Sequence, residues 1–219
     1  NPKVLKNGTR AQKLSFYNGR CYIAGYGNNE ENEVEEARIW IDGQAYNKLS
    51  QDNDDKNKNG DYPALANDIA SDGDNWWCVG QERNSGVGYL PKVWINRSNN
   101  NLKREGPASS LTCIKYENGT FYIGGNDGYH AMYWSATQKS SKENRINNCQ
   151  EYDLSSGVTQ AKVDDIDVLN GIVVCCGYER SATGSNIPKL WINGSEYPLG
   201  EQLNNYSNVR PCAVAIVKR

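Results

Sequence analysis

Tyr22-Ile23-Ala24-Gly25-Tyr26, with Ile39-Trp40-Ile41-Asp42-Gly43 behind it, decides how this chain is read, because the pair recurs. Trp77-Cys78-Val79-Gly80-Gln81 leads to Val93-Trp94-Ile95-Asn96, and Tyr122-Ile123-Gly124-Gly125-Asn126 leads to Tyr133-Trp134-Ser135. Val174-Cys175-Cys176-Gly177-Tyr178 leads to Leu190-Trp191-Ile192-Asn193-Gly194. The glycines lie 55, 45 and 52 residues apart and the tryptophans 54, 40 and 57. Four copies of one unit define a repeat architecture, and that reading precedes any motif search.

Each unit reads as four strands. Strand A holds Leu14, Ile69, Ile114 or Ile166, and strand B begins seven residues later in every copy, at Cys21, Trp76, Phe121 and Val173. The interval spans a hairpin signal: Asn18-Gly19, Asn118-Gly119 and Asn170-Gly171, with Asp72-Gly73-Asp74 in the second copy. Asn-Gly accepts positive φ at both central positions of a two-residue turn. Strand B is expected to end at the recurring glycine. Strand C carries the tryptophan and closes on Asp42-Gly43, Asn96-Arg97 or Asn193-Gly194, leaving Ser135-Ala136 in the third unit without a turn signal. Strand D is short: Tyr46 to Leu49, Asn101 to Lys103, Glu151 to Leu154 and Tyr197 to Leu199. Apolar runs are β-branched and aromatic and show no helical period.

Short antiparallel strands in fours, repeated, predict an all-β fold, a β-propeller of four-stranded antiparallel blades. Stacked blades bury both sheet faces, which accounts for the consecutive apolar residues of strand B. The strand C tryptophan is expected to fill the wedge between blades. One domain is expected over 1–219, with units at about 9–50, 64–106, 108–156 and 161–200. Terminal strands are expected at 1–8 and 208–219: Lys3 to Gly8 resembles strand D, and Pro211 to Ile216 resembles strand A. Four full repeats with an extra strand at each end predict four or five blades, the orphan strands closing the ring or pairing between protomers.

A net charge of −2 provides no field to attract nucleic acid or an anionic membrane. No apolar run approaches a membrane span. The chain opens at Asn1 without Met or an apolar leader, which predicts a processed chain or a piece of a longer one. Seven cysteines leave at least one thiol unpaired within the chain. Cys21, Cys78, Cys175 and Cys176 lie in strand B, where other copies carry Ile, Phe, Val or Ala, so they read as small buried hydrophobes. Disulfides involving Cys113, Cys149 or Cys212 are the alternative.

The units resemble those of bacterial β-propeller repeat proteins, often secreted or surface-attached, whose repeats carry a Tyr-Val-Ala-Gly-Tyr strand and then a Leu-Trp-Lys-Asn-Gly strand. Tyr22 to Tyr26 and Leu190 to Gly194 match best, and the third unit departs most. The resemblance covers nearly the whole chain and implies the fold and an extracellular setting, but no activity.

Loop length varies on the face carrying the B–C and D–A connections, the place where a rigid scaffold usually carries function. Candidate ligand-binding residues there are Tyr26, Gln81, Glu82, Arg83, Asn126, Asp127, His130, Tyr178, Glu179 and Arg180. Tyr rings stack on sugars, and Arg, Glu and Asn hydrogen-bond hydroxyls. The plainer reading of the Glu-Arg pairs is a stitch between adjacent blades. Asp55, Asn57, Asn59 and Asp61, with Gly60 at the sixth position, resemble the first half of a calcium loop, but Ala66 stands where the twelfth-position carboxylate belongs. No other cofactor is indicated. Glu30 to Glu36 reads as a solvated acidic loop. His130 is the sole histidine and no G-x-S-x-G accompanies it. Five N-x-S/T sequons, at Asn7, Asn96, Asn118, Asn193 and Asn205, matter only in a glycosylating host. The expectation is a non-enzymatic, extracellular or cell-surface binding propeller with a glycan or surface-protein partner. The alternative is a structural or protein-interaction subunit, self-associating through its terminal strands. A hydrolase using loop carboxylates is set behind both.

Overall fold

The computed structural model describes residues 9–28, 34–46, 49, 63–84, 88–96, 98–102, 109–140, 143–155, 159–199 and 208–217. It is a β-propeller of four blades, each a four-stranded antiparallel meander. Blade 1 holds β1 (Thr9–Tyr17), β2 (Arg20–Asn28), β3 (Glu35–Ile41) and β4 (Gln44–Tyr46). Blade 2 holds β5 (Ala64–Ser71), β6 (Trp76–Asn84), β7 (Gly88–Ile95) and β8 (Ser98–Asn100). Blade 3 holds β9 (Ser110–Glu117), β10 (Thr120–Asp127), β11 (His130–Ser140) and β12 (Glu143–Asp153). Blade 4 holds β13 (Ala161–Leu169), β14 (Ile172–Arg180), β15 (Asn186–Ile192) and β16 (Ser195–Tyr197). The chain divides into two compact units. The first contains blades 1 and 2 and the hairpin tip Gln138–Arg145; the second contains the rest of blade 3, blade 4 and the C-terminal stretch.

The hairpin turns form where Asn-Gly and Asp-Gly allow them. Asn18, Asp42, Asn118, Asn170 and Asn193 have φ between 47° and 53°, and the glycine after each is also positive. In blade 2 the Asp72 carboxylate instead accepts the amides of Asp74 and Asn75 at 3.0 and 2.7 Å.

The recurring glycine has a different cause. Strand A of each blade slips by one residue, at Gln12, Asn67, Thr112 and Asp164. This bulge drives a carbonyl oxygen, that of Arg10, Leu65, Ser110 or Lys162, into the space where a Cβ of Gly25, Gly80, Gly125 or Gly177 would sit. Strand B therefore does not end at the glycine, as expected, but runs on to Asn28, Asn84, Asp127 and Arg180.

In the first unit, Tyr22, Ala24 and Ile39 of blade 1 pack with Ala66, Ile69, Cys78 and Trp94 of blade 2. In the second, Cys113, Ala131 and Tyr133 of blade 3 pack with Val163, Ile166, Cys175 and Trp191 of blade 4. Trp94 and Trp191 are thus interblade wedges, each opposite a strand B cysteine in register. All seven cysteines are free thiols: Cys78, Cys113, Cys175 and Cys176 are buried, Cys21 is half-buried, and Cys149 and Cys212 are exposed.

Three features depart from the reading of the sequence. Leu14 lies in strand A as expected but, unlike the buried Ile69, Ile114 and Ile166 of the other blades, is 52% exposed beside the exposed Phe16. In blade 3, β11 and β12 run for 11 residues each, so strand D begins well before Glu151. In the other blades strand D is three residues long and ends at Tyr46, Asn100 or Tyr197. Residues 1–8 lie outside the described residues. The strand A expected at the C-terminus lies along β13, held by side chains: Asp165 accepts the amide of Val214 at 3.0 Å and Asp167 that of Ile216 at 2.7 Å. Equal steps in the same direction make this stretch run parallel to β13.

Candidate functional site

The bulge in β13 places Asp164 outside the regular alternation, and Arg210 meets it. Arg210 donates from Nη2 to Oδ1 at 2.6 Å and from Nε to Oδ2 at 3.2 Å, a two-pronged grip on one carboxylate. The same guanidinium stands 4.5 Å from the ring centroid of Tyr178, which is Lys162's partner in the β13–β14 register. Burial pushes the Lys162 ammonium down; nearby Asp164 opposes this and Arg210 adds to it. Arg210 is raised by its hydrogen bonds to Asp164, with burial working against them. A carboxylate, an aromatic ring and two cations thus converge where β13 begins and β14 ends.

Blade 3 contributes a second polar cluster to this unit. Asn126 is buried, accepting from Ser110 Oγ at 2.7 Å and donating to the Gly128 carbonyl at 2.9 Å. Asp127 accepts from Ser109 Oγ at 2.6 Å. After the turn through Gly128 and Tyr129, His130 opens β11 with Nδ1 at 2.7 Å from Asp153 Oδ2. Ser155 Oγ donates to Asp153 at 3.2 Å and accepts the Ala131 amide at 3.2 Å, so its hydroxyl serves the carboxylate and the backbone, with no bond to His130.

In the first unit Tyr26 is buried beneath Arg10, which stands 5.8 Å from its ring centroid and donates to its hydroxyl at 3.3 Å. Glu82 is buried with Lys92, Nζ to Oε2 3.4 Å. Gln81 is half-buried opposite Pro91, and Arg83 is exposed. In the second unit Glu179 takes Lys189 at 3.3 Å, and Arg180 is exposed. Glu82 and Glu179 therefore each pair within their own blade with a lysine opposite the recurring glycine. Blade 1 repeats the device with Arg38 opposite Gly25 and 3.4 Å from the buried Glu36. Burial lowers Lys189, but Glu196 and Glu179 outweigh it and hold it above the usual lysine range.

Comparisons with solved structures find glycoside hydrolases. Over 90% of this chain and 79% of its own, the chain is similar to a β-xylosidase/α-arabinofuranosidase of glycoside hydrolase family 43 from a compost microbial metagenome, solved with xylotriose in a calcium-free form, at 11% identity and a TM-score of 0.50. It is also similar to a Bacillus subtilis arabinanase (17% identity, TM-score 0.40, 82% of this chain and 70% of that one). A third is an endo-arabinase from Bacteroides thetaiotaomicron (13% identity, TM-score 0.41, 88% and 75%). No family model matches the chain, and no curated protein matches it. At 11% identity the first of these supports the propeller fold alone.

The β-xylosidase/α-arabinofuranosidase that shares the fold is an enzyme, and this finding overturns the expectation of a non-enzymatic binding propeller. The sequence places carboxylates of interest in the loops, whereas Asp164 lies within a strand, at the bulge of β13. Of the ten candidates, Asn126, Asp127 and His130 share the blade 3 end, and Tyr178, Glu179 and Arg180 the end of β14. Tyr26, Gln81, Glu82 and Arg83 belong to the first unit. Lys162, Asp164, Asp153 and Arg210 were missed; consecutive aspartates at a strand A bulge were the available signal. The calcium-loop candidates Asp55, Asn57, Asn59 and Asp61 lie outside the described residues. Among the described residues no group of His, Cys, Asp and Glu is disposed to hold a metal, and no helix is long and apolar enough to cross a membrane.

Proposed function

We infer that the chain is a carbohydrate-active enzyme that hydrolyses glycosidic bonds in pentose-containing oligosaccharides. The observation that carries this reading is Asp164, gripped by Arg210 beside the Tyr178 ring and Lys162 at the loop end of the second unit. Glycoside hydrolysis uses two carboxyl groups, one donating a proton to the leaving oxygen and one acting as base or nucleophile. Asp164 takes the second role. Its guanidinium partner orients it and balances its charge, and the ammonium of Lys162 adds positive charge beside it. Asp127, half-buried on blade 3 of the same unit and accepting a hydrogen bond from Ser109, is the second carboxyl group of this reading. The pentose class follows the β-xylosidase/α-arabinofuranosidase that shares the fold. The repeat resemblance to secreted propellers supports an extracellular setting for such an enzyme. Release of nitrophenol from aryl β-xylosides and aryl α-arabinofuranosides tests the reading. Turnover of one class, lost in Asp164→Asn, supports it; no turnover of either class and of xylan or arabinan fragments overturns it.

A further inference from the structure

The C-terminal stretch reaches blade 4 through side chains and carries a cysteine at the middle of its attachment. Arg210 is fixed by Asp164 and Val214 by Asp165, so Cys212 is bracketed between two anchored residues. On the blade, Asp165 pairs with Cys176 across the β13–β14 ladder, and directly paired residues project to the same face. That face is the one from which Asp165 reaches Val214. Its neighbour Cys175 projects to the opposite face, into the core shared with blade 3. The vicinal cysteines therefore have separate surroundings, and only Cys176 faces the C-terminal stretch. The Cys212 thiol also lies within electrostatic reach of Cys176.

We propose that Cys176 and Cys212 form a disulfide that fastens the C-terminal stretch, and Arg210 with it, onto blade 4. The oxidant is a small-molecule disulfide such as oxidised glutathione. The exposed Cys212 thiolate attacks it, forming a mixed disulfide and releasing one glutathione thiol. Cys176, losing its proton, then attacks Cys212 sulfur and releases the second. Two protein thiols lose two electrons and two protons, and one glutathione disulfide becomes two thiols. Burial pushes the Cys176 thiol up to about 12, so the second step is the slow one and accelerates as pH rises. The inference rests on the placement of the C-terminal stretch and holds whether or not the chain cleaves glycosides.

The test uses the full chain as Cys149→Ser, which removes the other exposed thiol, incubated with oxidised glutathione and mapped by mass spectrometry without reduction. The expected result is the loss of two thiols per chain, a peptide linking Cys176 to Cys212, and slowed hydrogen exchange at Val214 and Ile216. The link is absent after Cys212→Ser, an exposed substitution that leaves the blade core intact, and is lost when oxidation is done in denaturant. Cys212 recovered as a stable glutathione adduct with Cys176 free, or joined to Cys212 of a second chain, overturns the proposal.

Discussion

Lys92 is completely buried, and its ammonium lies 3.4 Å from the buried carboxylate of Glu82. A charge in that position cannot be left alone. Lys92→Met takes the ammonium away from a buried carboxylate, and the expected loss is about 3 kcal/mol or more. Adding Glu82→Gln removes the carboxylate's charge as well and is expected to recover most of it. Urea unfolding of the two single variants and the double variant measures the coupling. A Lys92→Met chain as stable as the parent would show that the pair contributes nothing.

Gly80 faces a harder constraint, because the Leu65 carbonyl occupies the place of its missing side chain. Gly80→Ala must flatten the bulge at Asn67 or separate β5 from β6, and overpacking of this kind costs about 3 kcal/mol. The denaturant midpoint is expected to fall with the slope unchanged, since the same surface is exposed on unfolding.

How far the sequence could be read follows from these two residues. Gly80 announced itself by recurrence and Trp94 by the same spacing, so blades, strand order and wedges were legible. The Asn-Gly turns were legible because positive φ is a local demand that few residues meet. The reason for Gly80 was not, since it depends on a bulge one strand away. Arg210 and Asp164 are 46 residues apart and meet only once blade 4 and the C-terminal stretch are assembled. Glu82-Lys92 and Glu179-Lys189 were within reach: the same spacing, with proline before each lysine, recurs in two units.

Alkaline pH is expected to destabilise the fold. Burial raises Cys176 from 9.0 to about 12. Burial, reinforced by Tyr152 stacked 4.2 Å away, raises Tyr133 from 10.0 to about 12. Between about pH 9 and 12 the folded chain therefore holds protons that the unfolded chain has released, and stability falls as pH rises through that window. Below pH 9 both groups are protonated in both states and contribute no slope. Urea midpoints at several pH values check this, and Cys176→Ala removes only its own share of the portion that begins near pH 9, since burial raises the thiols of Cys175, Cys78 and Cys149 in the same direction.

Asp164→Asn keeps the shape of the candidate base and removes its charge. Turnover of the aryl pentoside is expected to fall by roughly 100-fold or more, the usual scale for losing a general base or its equivalent. Arg210→Lys preserves a cation but loses the planar two-pronged grip, so a smaller loss in kcat is expected, with the pH profile displaced. If Arg210→Lys matches the parent in both rate and profile, Arg210 serves only to hold the C-terminal stretch.

The Glu117 carboxylate accepts the amides of Asn170 and Gly171 at 2.7 and 2.8 Å, clamping the β13–β14 turn from the neighbouring blade. Asn-Gly turns deamidate when the glycine nitrogen attacks the asparagine side-chain carbonyl. At Asn170 that nitrogen is committed to Glu117, and moving it to attack costs a hydrogen bond to a charged acceptor, about 1.5 kcal/mol or more. Asn118-Gly119 has the same turn geometry, with φ of 47° and 85°. Asn170 is therefore expected to deamidate roughly tenfold more slowly than Asn118, the factor that such an energy difference sets. Glu117→Ala should bring the two rates together. Peptide mapping over days at mildly alkaline pH reads both sites in one sample, and equal rates in the parent chain would show that the clamp opens too readily to protect the turn.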